Sequence, residues 1–281
     1  MKTKHKIAAA KLLYRTISTA RHAFGRHDNI VTTKGGLTYE LDLSEGIDLA
    51  IYLFGGFEPS TRVALAKCVR PGMTVLDIGA NIGSHTLHLA NLVGANGRVY
   101  AFEPTDFAYA KLVRNLSLNP ILARRVVTQQ CFLMSTNAGE IPQEIWSSWP
   151  LAAGHDLHPV HLGAKKSTSG ARARSLDSVL ADNGDPAVDV VKMDVDGAEC
   201  AVLSGATRMM SINKPTFIME WTPYTLQEQG RSFEEMMSFF IPLGYRFFHQ
   251  STGEELPVDS TAIARIIGPG GSINVIGRCG K

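Results

Sequence analysis

The residues best suited to chemistry gather where runs of strand character end. Thr74-Val-Leu-Asp-Ile-Gly-Ala-Asn-Ile-Gly-Ser84 carries a short strand through Asp77 into a turn holding Gly79, Asn81 and Gly83, with a helical pattern from Thr86 to Leu92 behind it. Glycine in such a turn lets backbone approach a ligand, and the helix offers unpaired N–H groups and a positive dipole end. The Asp-x-Gly-x-x-x-Gly spacing is not the Gly-x-Gly-x-x-Gly turn of dinucleotide enzymes, and no Lys-Ser or Lys-Thr pair follows as in a nucleotide-hydrolase loop. A second strand, Arg98–Phe102, ends in Glu103, whose carboxylate at the carboxyl edge of a parallel sheet can accept hydrogen bonds from the two hydroxyls of a ribose. A nucleoside cofactor without a pyrophosphate matches both features, and S-adenosylmethionine is the common one. At the tip of a third strand, Arg125–Gln130, Cys131 and Phe132 stand where the base of that nucleoside would lie. Phe132 reads equally well as a cover for adenine and as a core aromatic.

Further along, Val188–Met193 delivers Lys192, Asp194 and Asp196 to a fourth strand end with Glu199 close behind, and Pro215–Glu220 closes a fifth strand on a carboxylate. Neighbouring tips of this kind converge on one crevice. Lys192 reads either as the partner of a buried sheet-end carboxylate or as a cation for developing negative charge. His155-Asp-Leu-His-Pro-Val-His161 has the residue types of a metal site or a base, but it lies in a loop without a recognised ligand geometry. Histidines at a substrate mouth are the plainer expectation, and no metal is assigned. His85 and His88 share a helical face and read as satisfied interior histidines.

Alternating strands and helices of this length call for one large α/β domain with a mostly parallel, doubly wound sheet, its last strand antiparallel if the connection is tight. The chain has 281 residues, 44% hydrophobic and 19% charged, which is globular composition. We divide it into a basic helix and hairpin extension over residues 1–58 and a main domain over 59–281, with an insertion at about 135–172. The extension comprises a helix from His5 to Phe24, a hairpin over Asn29–Leu43 turned at Gly35-Gly36, and a helix from Glu45 to Leu53 capped by Ser44. In the first helix Ile7, Leu12, Leu13 and Ile17 are expected to share a face. The extension ends at the first strand-to-helix turn, so it can contribute to a lid or a substrate mouth. The insertion lacks sustained period beyond a strand-like stretch at Ile141–Trp149, and substrate choice is expected to be decided there.

Net charge is +2, which gives no reason to expect nucleic acid. The segment before Asp28 nevertheless holds Lys2, Lys4, Lys6, Lys11, Arg15, Arg21 and Arg26 and no acid. That arm suits packing on the domain or on a second copy in a homodimer, or peripheral contact with anionic lipid. The four cysteines contain no Cys-x-x-Cys pair, and Cys68 and Cys131 read as core thiols. Lys11 interrupts the first apolar run too early for a signal peptide, and no apolar run reaches 18 residues. A cytoplasmic protein is expected.

Val75–Gly83, Phe102-Glu-Pro104, Ser175-Leu-Asp177, Lys192–Glu199 and the Glu220 strand end together resemble the FkbM-type S-adenosylmethionine-dependent methyltransferases, as do Leu43–Asp48 and Gly56-Phe-Glu-Pro59 upstream. The likeness runs from about residue 40 to residue 250. It implies a class I methyltransferase fold of seven strands and O-methylation of a hydroxyl on a sugar or natural product. Carried over by position, Asp77, Gly79 and Gly83 would frame the methionyl portion of the cofactor, with Asn81 in the same turn. Glu103 would hold the ribose, and Asp194 would stand near the amino acid portion or the acceptor. Asp196 replaces a glutamate that is frequent in the family. Neither the basic arm nor Trp146–Gly170 carries the family's motifs.

Methyl transfer needs an in-line nucleophile, exclusion of water and two oriented reactants, and a hydroxyl nucleophile gains from a base within reach of its proton. Asp194 or Glu220 is the expected orienting or deprotonating group, with Lys192 beside them. An NAD-dependent oxidoreductase shares the layout but not the glycine spacing. A noncatalytic scaffold would need neither the glycines nor the strand-tip acids.

Overall fold

The computed structural model describes residues 3–147, 149–152, 157–158 and 162–280. The chain opens with helix α1 (Thr3–Ala23), a hairpin of β1 (Asn29–Lys34) and β2 (Leu37–Asp42), and helices α2 (Gly46–Phe54) and α3 (Pro59–Cys68). The first α/β units are β3 (Thr74–Ile78), α4 (Ser84–Leu92), β4 (Arg98–Phe102), α5 (Asp106–Ser117) and β5 (Val126–Gln129). Short strands β6 (Cys131–Leu133), β7 (Glu144–Ser147), β8 (Ala164–Ser167) and β9 (Arg172–Arg174) follow. The sheet is then completed by β10 (Val190–Met193), β11 (Thr216–Trp221), β12 (Tyr245–His249), β13 (Glu255–Leu256) and β14 (Ile273–Cys279).

Among the described residues the main sheet has eight strands in the order β13-β12-β14-β11-β10-β3-β4-β5. β3, β4, β5, β10 and β11 run parallel, while β14 is antiparallel between β11 and β12. The eighth strand, β13, is a two-residue edge too short to show in a hydropathy pattern. The order reverses at β3, with β4 on one side and β10 on the other, so the crevice of this doubly wound sheet opens there.

Period 2 along the strands sorts the core. Val75, Val99, Val190, Ile218 and Ile276 pack on Ala64 and Leu65 of α3 and on Leu89 and Ala90 of α4. Leu76, Tyr100, Val191, Phe217 and Val275 point the other way, onto Val179, Leu203, Met210 and Met236. The same alternation puts Asp77 and Lys192, each two residues beyond one of the first set, on the α3/α4 face and in register on adjacent strands.

The extension shares this core. The buried face of β2, Leu37, Tyr39 and Leu41, packs with Ile47, Leu49 and Ile51 of α2 and with Leu112 and Leu116 of α5. Two α5-side amides satisfy the open edge of β2: Asn115 Oδ1 accepts from Glu40 N–H at 2.8 Å and Asn119 Oδ1 from Thr38 N–H at 3.0 Å. Asp48, buried at the start of α2, accepts from Asp42 N–H and pairs with Lys111 of α5, tying hairpin, α2 and α5 together. Ser44 does not cap α2. Its hydroxyl donates to Asp42 Oδ1 at 2.6 Å, and Glu45 takes the cap position without a side-chain bond. In α1 the inward residues are Ala10, Tyr14 and Ile17, with Tyr14 and Ser18 donating to Asp28. Leu12 and Leu13 instead face solvent, so these leucines do not share Ile17's face as the sequence reading expected. Among the described residues no helix is long and apolar enough to cross a membrane.

β6 pairs in parallel with β9, and β7 pairs antiparallel with β8, so the insertion leaves and rejoins the domain at neighbouring points. Backbone bonds from Gly46 to Trp149 and from Leu151 to Ser44 fasten it to the extension. All four cysteines are free, with Cys131 and Cys200 buried and Cys68 only half-buried.

Candidate active site

A cleft of about 1190 Å³, including solvent at its mouth, opens at the carboxyl ends of β3, β4, β10 and β11. Gly79, Asn81, Glu103, Cys131, Phe132, Lys192, Asp194 and Glu220 line it together. Asp77 and Gly83 do not. Asp77 is wholly buried below the floor, where Oδ2 accepts the Thr86 hydroxyl at 2.6 Å. Gly83 (φ +87) ends the turn against α5, and a Cβ there would stand 2.7 Å from Leu112 Cδ1. At Gly79 (φ +76) a Cβ would collide with the carbonyl oxygen of Asp194. Both glycines are thus required by contact of chain with chain, and Gly79 lines the cleft as well.

Glu103, at the end of β4, is 4% exposed. Its Oε1 accepts from Thr105 N–H at 2.9 Å and the Thr105 hydroxyl at 2.6 Å, and its Oε2 accepts from Asn81 N–H at 3.0 Å. A carboxylate has about four lone-pair positions, so one remains on Oε2 for a ligand. Burial pushes the Glu103 carboxyl above its ordinary range, against the lowering effect of the Thr105 and Asn81 bonds.

Lys192 is the buried cation of the floor, 4% exposed. Its Nζ donates to the Gly79 carbonyl at 3.0 Å and lies 3.6 Å from Asp77 Oδ1 and 3.8 Å from Asp194 Oδ2. Burial opposes its charge, but Asp77, Asp194 and Glu58 outweigh that and hold the ammonium above its usual range. The position joins both expectations for Lys192: a buried ion pair, and a cation reaching the cleft.

Acids outnumber this cation at the β10 and β11 tips. Burial, with the charge of Asp194 next, pushes Glu220 up to about 7. Burial also raises Asp194, though Lys192 pulls it back. Asp196 keeps solvent access, yet the cleft walls desolvate it, and Asp194, Glu220 and Glu199 add repulsion, so its carboxyl is raised well above the ordinary range. This surplus of carboxyl groups, whose ionised forms a bound cation would favour, suits a ligand carrying a sulfonium and an ammonium. With the open position on Glu103, it makes the cleft fit S-adenosylmethionine.

Glu199 behind the wall is 4% exposed; Oε1 accepts from Gly197 N–H at 3.3 Å, while Oε2 is buried without a hydrogen-bond partner. Burial raises it from 4.5 to about 7. The folded state holds this proton more tightly than the unfolded chain, so its contribution to stability is full below about pH 4.5 and is lost as pH rises through 7. A shift of that size corresponds to on the order of 3 kcal/mol. Thermal melts of Glu199→Gln between pH 4.5 and 8.5 should show a flatter fall than the wild type; parallel curves would refute the assignment.

The remaining walls come from the extension and the insertion. Ile47, Phe57 and Glu58 enter from the first; Ile145, Trp146, Ser147, Trp149 and Gly163 enter from the second. Phe57 and Trp149 approach at 5.9 Å between ring centroids, and Lys166 bridges Glu45 at 3.4 Å and the Phe107 ring. Both segments thus contribute walls to the cleft. His155, Asp156 and His161 lie outside the described residues. His158 stands beside Trp146, with Nε2 3.3 Å from Glu228. Among the described residues no group of three or more His, Cys, Asp or Glu is placed to hold a metal ion.

Sequence reasoning gave neither Glu58 nor His85 a functional role. His88 meets its expectation as a satisfied interior histidine, with Nε2 3.3 Å from the Arg62 carbonyl and burial lowering it to about 4. His85 does not: it lines the cleft, 5% exposed, and neither ring nitrogen has a hydrogen-bond partner. The acid before Pro59 in a glycine-bearing loop was the available signal for Glu58, since an Xaa-Pro at a helix start fixes where that acid stands.

A doubly wound sheet with an acid-rich, nucleoside-sized cleft at its switch point defines a class I S-adenosylmethionine-dependent methyltransferase. The profile of the Methyltransferase FkbM domain matches residues 77–247, and the chain belongs to that family. It is 28% identical to methyltransferase sdnD of Sordaria araneosa, an alignment covering 59% of this chain and 73% of that protein. It is 29% identical to the hexuronic acid methyltransferase AglP of Haloferax volcanii, covering 49% of this chain and about half, 52%, of that one. Among solved structures, the FkbM methyltransferase of Methylobacillus flagellatus aligns with 16% identity over 82% of this chain and 59% of its own, with a TM-score of 0.43. The enzyme uses S-adenosylmethionine as its cofactor.

Proposed function

We propose that this methyltransferase acts on a hydroxyl of a sugar or sugar-like natural product, with the nucleoside over β3 and β4 and the acceptor over β10 and β11. In this reading Glu103 holds the ribose, Gly79 and Asn81 border the methionyl portion, and Cys131 and Phe132 border the base. The observation that carries it is the convergence of Asp194 and Glu220 on the same cleft as Glu103 and the glycine turn. Asp194 and Glu220 accept the acceptor's hydroxyl hydrogen bonds, while Phe57, Trp146 and Trp149 give its ring an apolar wall and exclude water. The surplus of carboxylates favours an uncharged or amine-bearing acceptor over a carboxylated one.

The test is transfer of a labelled methyl group to a panel of neutral hexoses, amino sugars, hexuronic acids and hydroxylated polyketides. With a responding acceptor, Asp194→Asn and Glu220→Gln should each lower kcat by roughly 10- to 100-fold, with cofactor Kd within about threefold. Because Glu220 is the stronger acceptor when ionised and burial pushes it up to about 7, turnover should rise through that pH. Unchanged turnover in both variants would remove these residues from the acceptor site.

A further inference from the structure

His85 is a buried titratable group on the cleft wall that O-methyl transfer as described leaves unused. Its imidazole is 95% withdrawn from solvent, yet Nδ1 and Nε2 both lack a hydrogen-bond partner. Leaving a buried polar atom unpaired is destabilising, so two on one ring call for something else to meet them. Nε2 stands 3.5 Å from Glu58 Oε2, just beyond a good hydrogen bond and close enough to become one with a small shift. Glu58 itself has φ +46, a left-handed conformation costly for a residue with a Cβ. The ring of Phe57, 6.4 Å away, flanks His85. Strain, an open dyad and orphaned nitrogens thus coincide on one wall.

We propose that His85 is the proton acceptor for the substrate hydroxyl and that Glu58 is the positioning residue that fixes and charge-pairs it. This rests on the O-methyl transfer reading above. As the acceptor oxygen bonds the methyl carbon, and sulfur keeps the electron pair of the broken carbon–sulfur bond, the hydroxyl proton passes to a neutral nitrogen of His85. The imidazolium formed is paired by the Glu58 carboxylate and later releases the proton to water. Asp194 and Glu220 then orient the hydroxyl rather than take its proton. The charged and titratable groups facing His85 are Glu58 from the loop before α3, Asp194 from the tip of β10 and His88 one turn along α4. Glu58 is the nearest. Burial works against its charge, but His85 holds its carboxyl below the usual range.

Two arms test the assignment on the full chain. In the first, the His85 ring nitrogens are followed by 15N NMR with S-adenosylhomocysteine present, which needs no acceptor. Glu58→Gln should move the Nε2 resonance, and more than Asp194→Asn does, because the Glu58 carboxylate stands 3.5 Å from that nitrogen. An unmoved resonance would overturn the pairing. In the second, with an acceptor found by the labelled-methyl panel, His85→Gln should lose roughly 100-fold in kcat with S-adenosylmethionine Kd within about twofold. Glu58→Gln should lower kcat with KM little changed, with partial recovery in Glu58→Asp. A His85→Gln enzyme that turns over within threefold of wild type, or that loses cofactor affinity instead, would overturn the role. Failure of every acceptor would count against O-methyl transfer, while the NMR arm would still decide whether Glu58 governs His85.

Discussion

Replacing Glu103 with alanine should weaken binding of S-adenosylmethionine by roughly 100-fold or more, measured by calorimetry beside S-adenosylhomocysteine and NAD. The carboxylate occupies the tip of β4, on the side of the cleft proposed for the nucleoside, and a hydrogen bond to a charged group is worth about 1.5–3 kcal/mol. The same side chain accepts from Asn81 N–H and Thr105 N–H, so alanine also unfastens the turn after β3 from the loop that opens α5. Glu103→Gln separates the two effects. It keeps an oxygen acceptor and the volume but not the charge, and should lose nearer tenfold. Since burial raises the Glu103 carboxyl and ligand hydroxyls would favour its ionised form, affinity should also fall on acidification and binding should release protons. Alanine-variant affinity within threefold of wild type, in a protein that melts normally, would mean that the ribose is held elsewhere.

That the strand-tip residues would share one cleft was legible because they lie at the ends of regular elements. Strand, turn and helix periods place Gly79, Asn81 and Glu103 at neighbouring strand ends without knowledge of any distant contact, and β10 and β11 deliver Lys192, Asp194 and Glu220 in the same way. Asp77, carried over from the resemblance, lies buried below the cleft floor: alternation says which face a strand residue takes, but not whether cleft or core lies beneath it. The histidine pair shows another limit. His85 and His88 lie three residues apart on one helix and look alike in sequence; the Arg62 carbonyl of α3 satisfies one, while the other stands 3.5 Å from Glu58. That difference is set by how α3 docks on α4. The insertion was opaque because its strands are three or four residues long and pair with partners up to about 40 residues away, too short and too distant to leave a local period.

Lys192→Met should be the most destabilising single change in the site, costing about 3–5 kcal/mol, because it leaves Asp77 charged and buried with no cation beside it. Against a total of roughly 5–15 kcal/mol, that is a fall in melting temperature on the order of 10 °C. The Gly79 carbonyl also loses its donor, so the glycine turn loosens from β10 and cofactor affinity should drop with stability. A buried pair costs desolvation on both sides, so stability can be regained by removing the other charge as well. The double variant Lys192→Met with Asp77→Asn should therefore be more stable than Lys192→Met alone, retaining the Thr86 hydroxyl bond through the asparagine oxygen. It should still fail to turn over, because the cation is gone from between Asp194 and the turn. Melts of the four proteins close a double-mutant cycle, and a coupling below about 0.5 kcal/mol between the two positions would show that Lys192 is held by the Gly79 carbonyl and Asp194 rather than by Asp77.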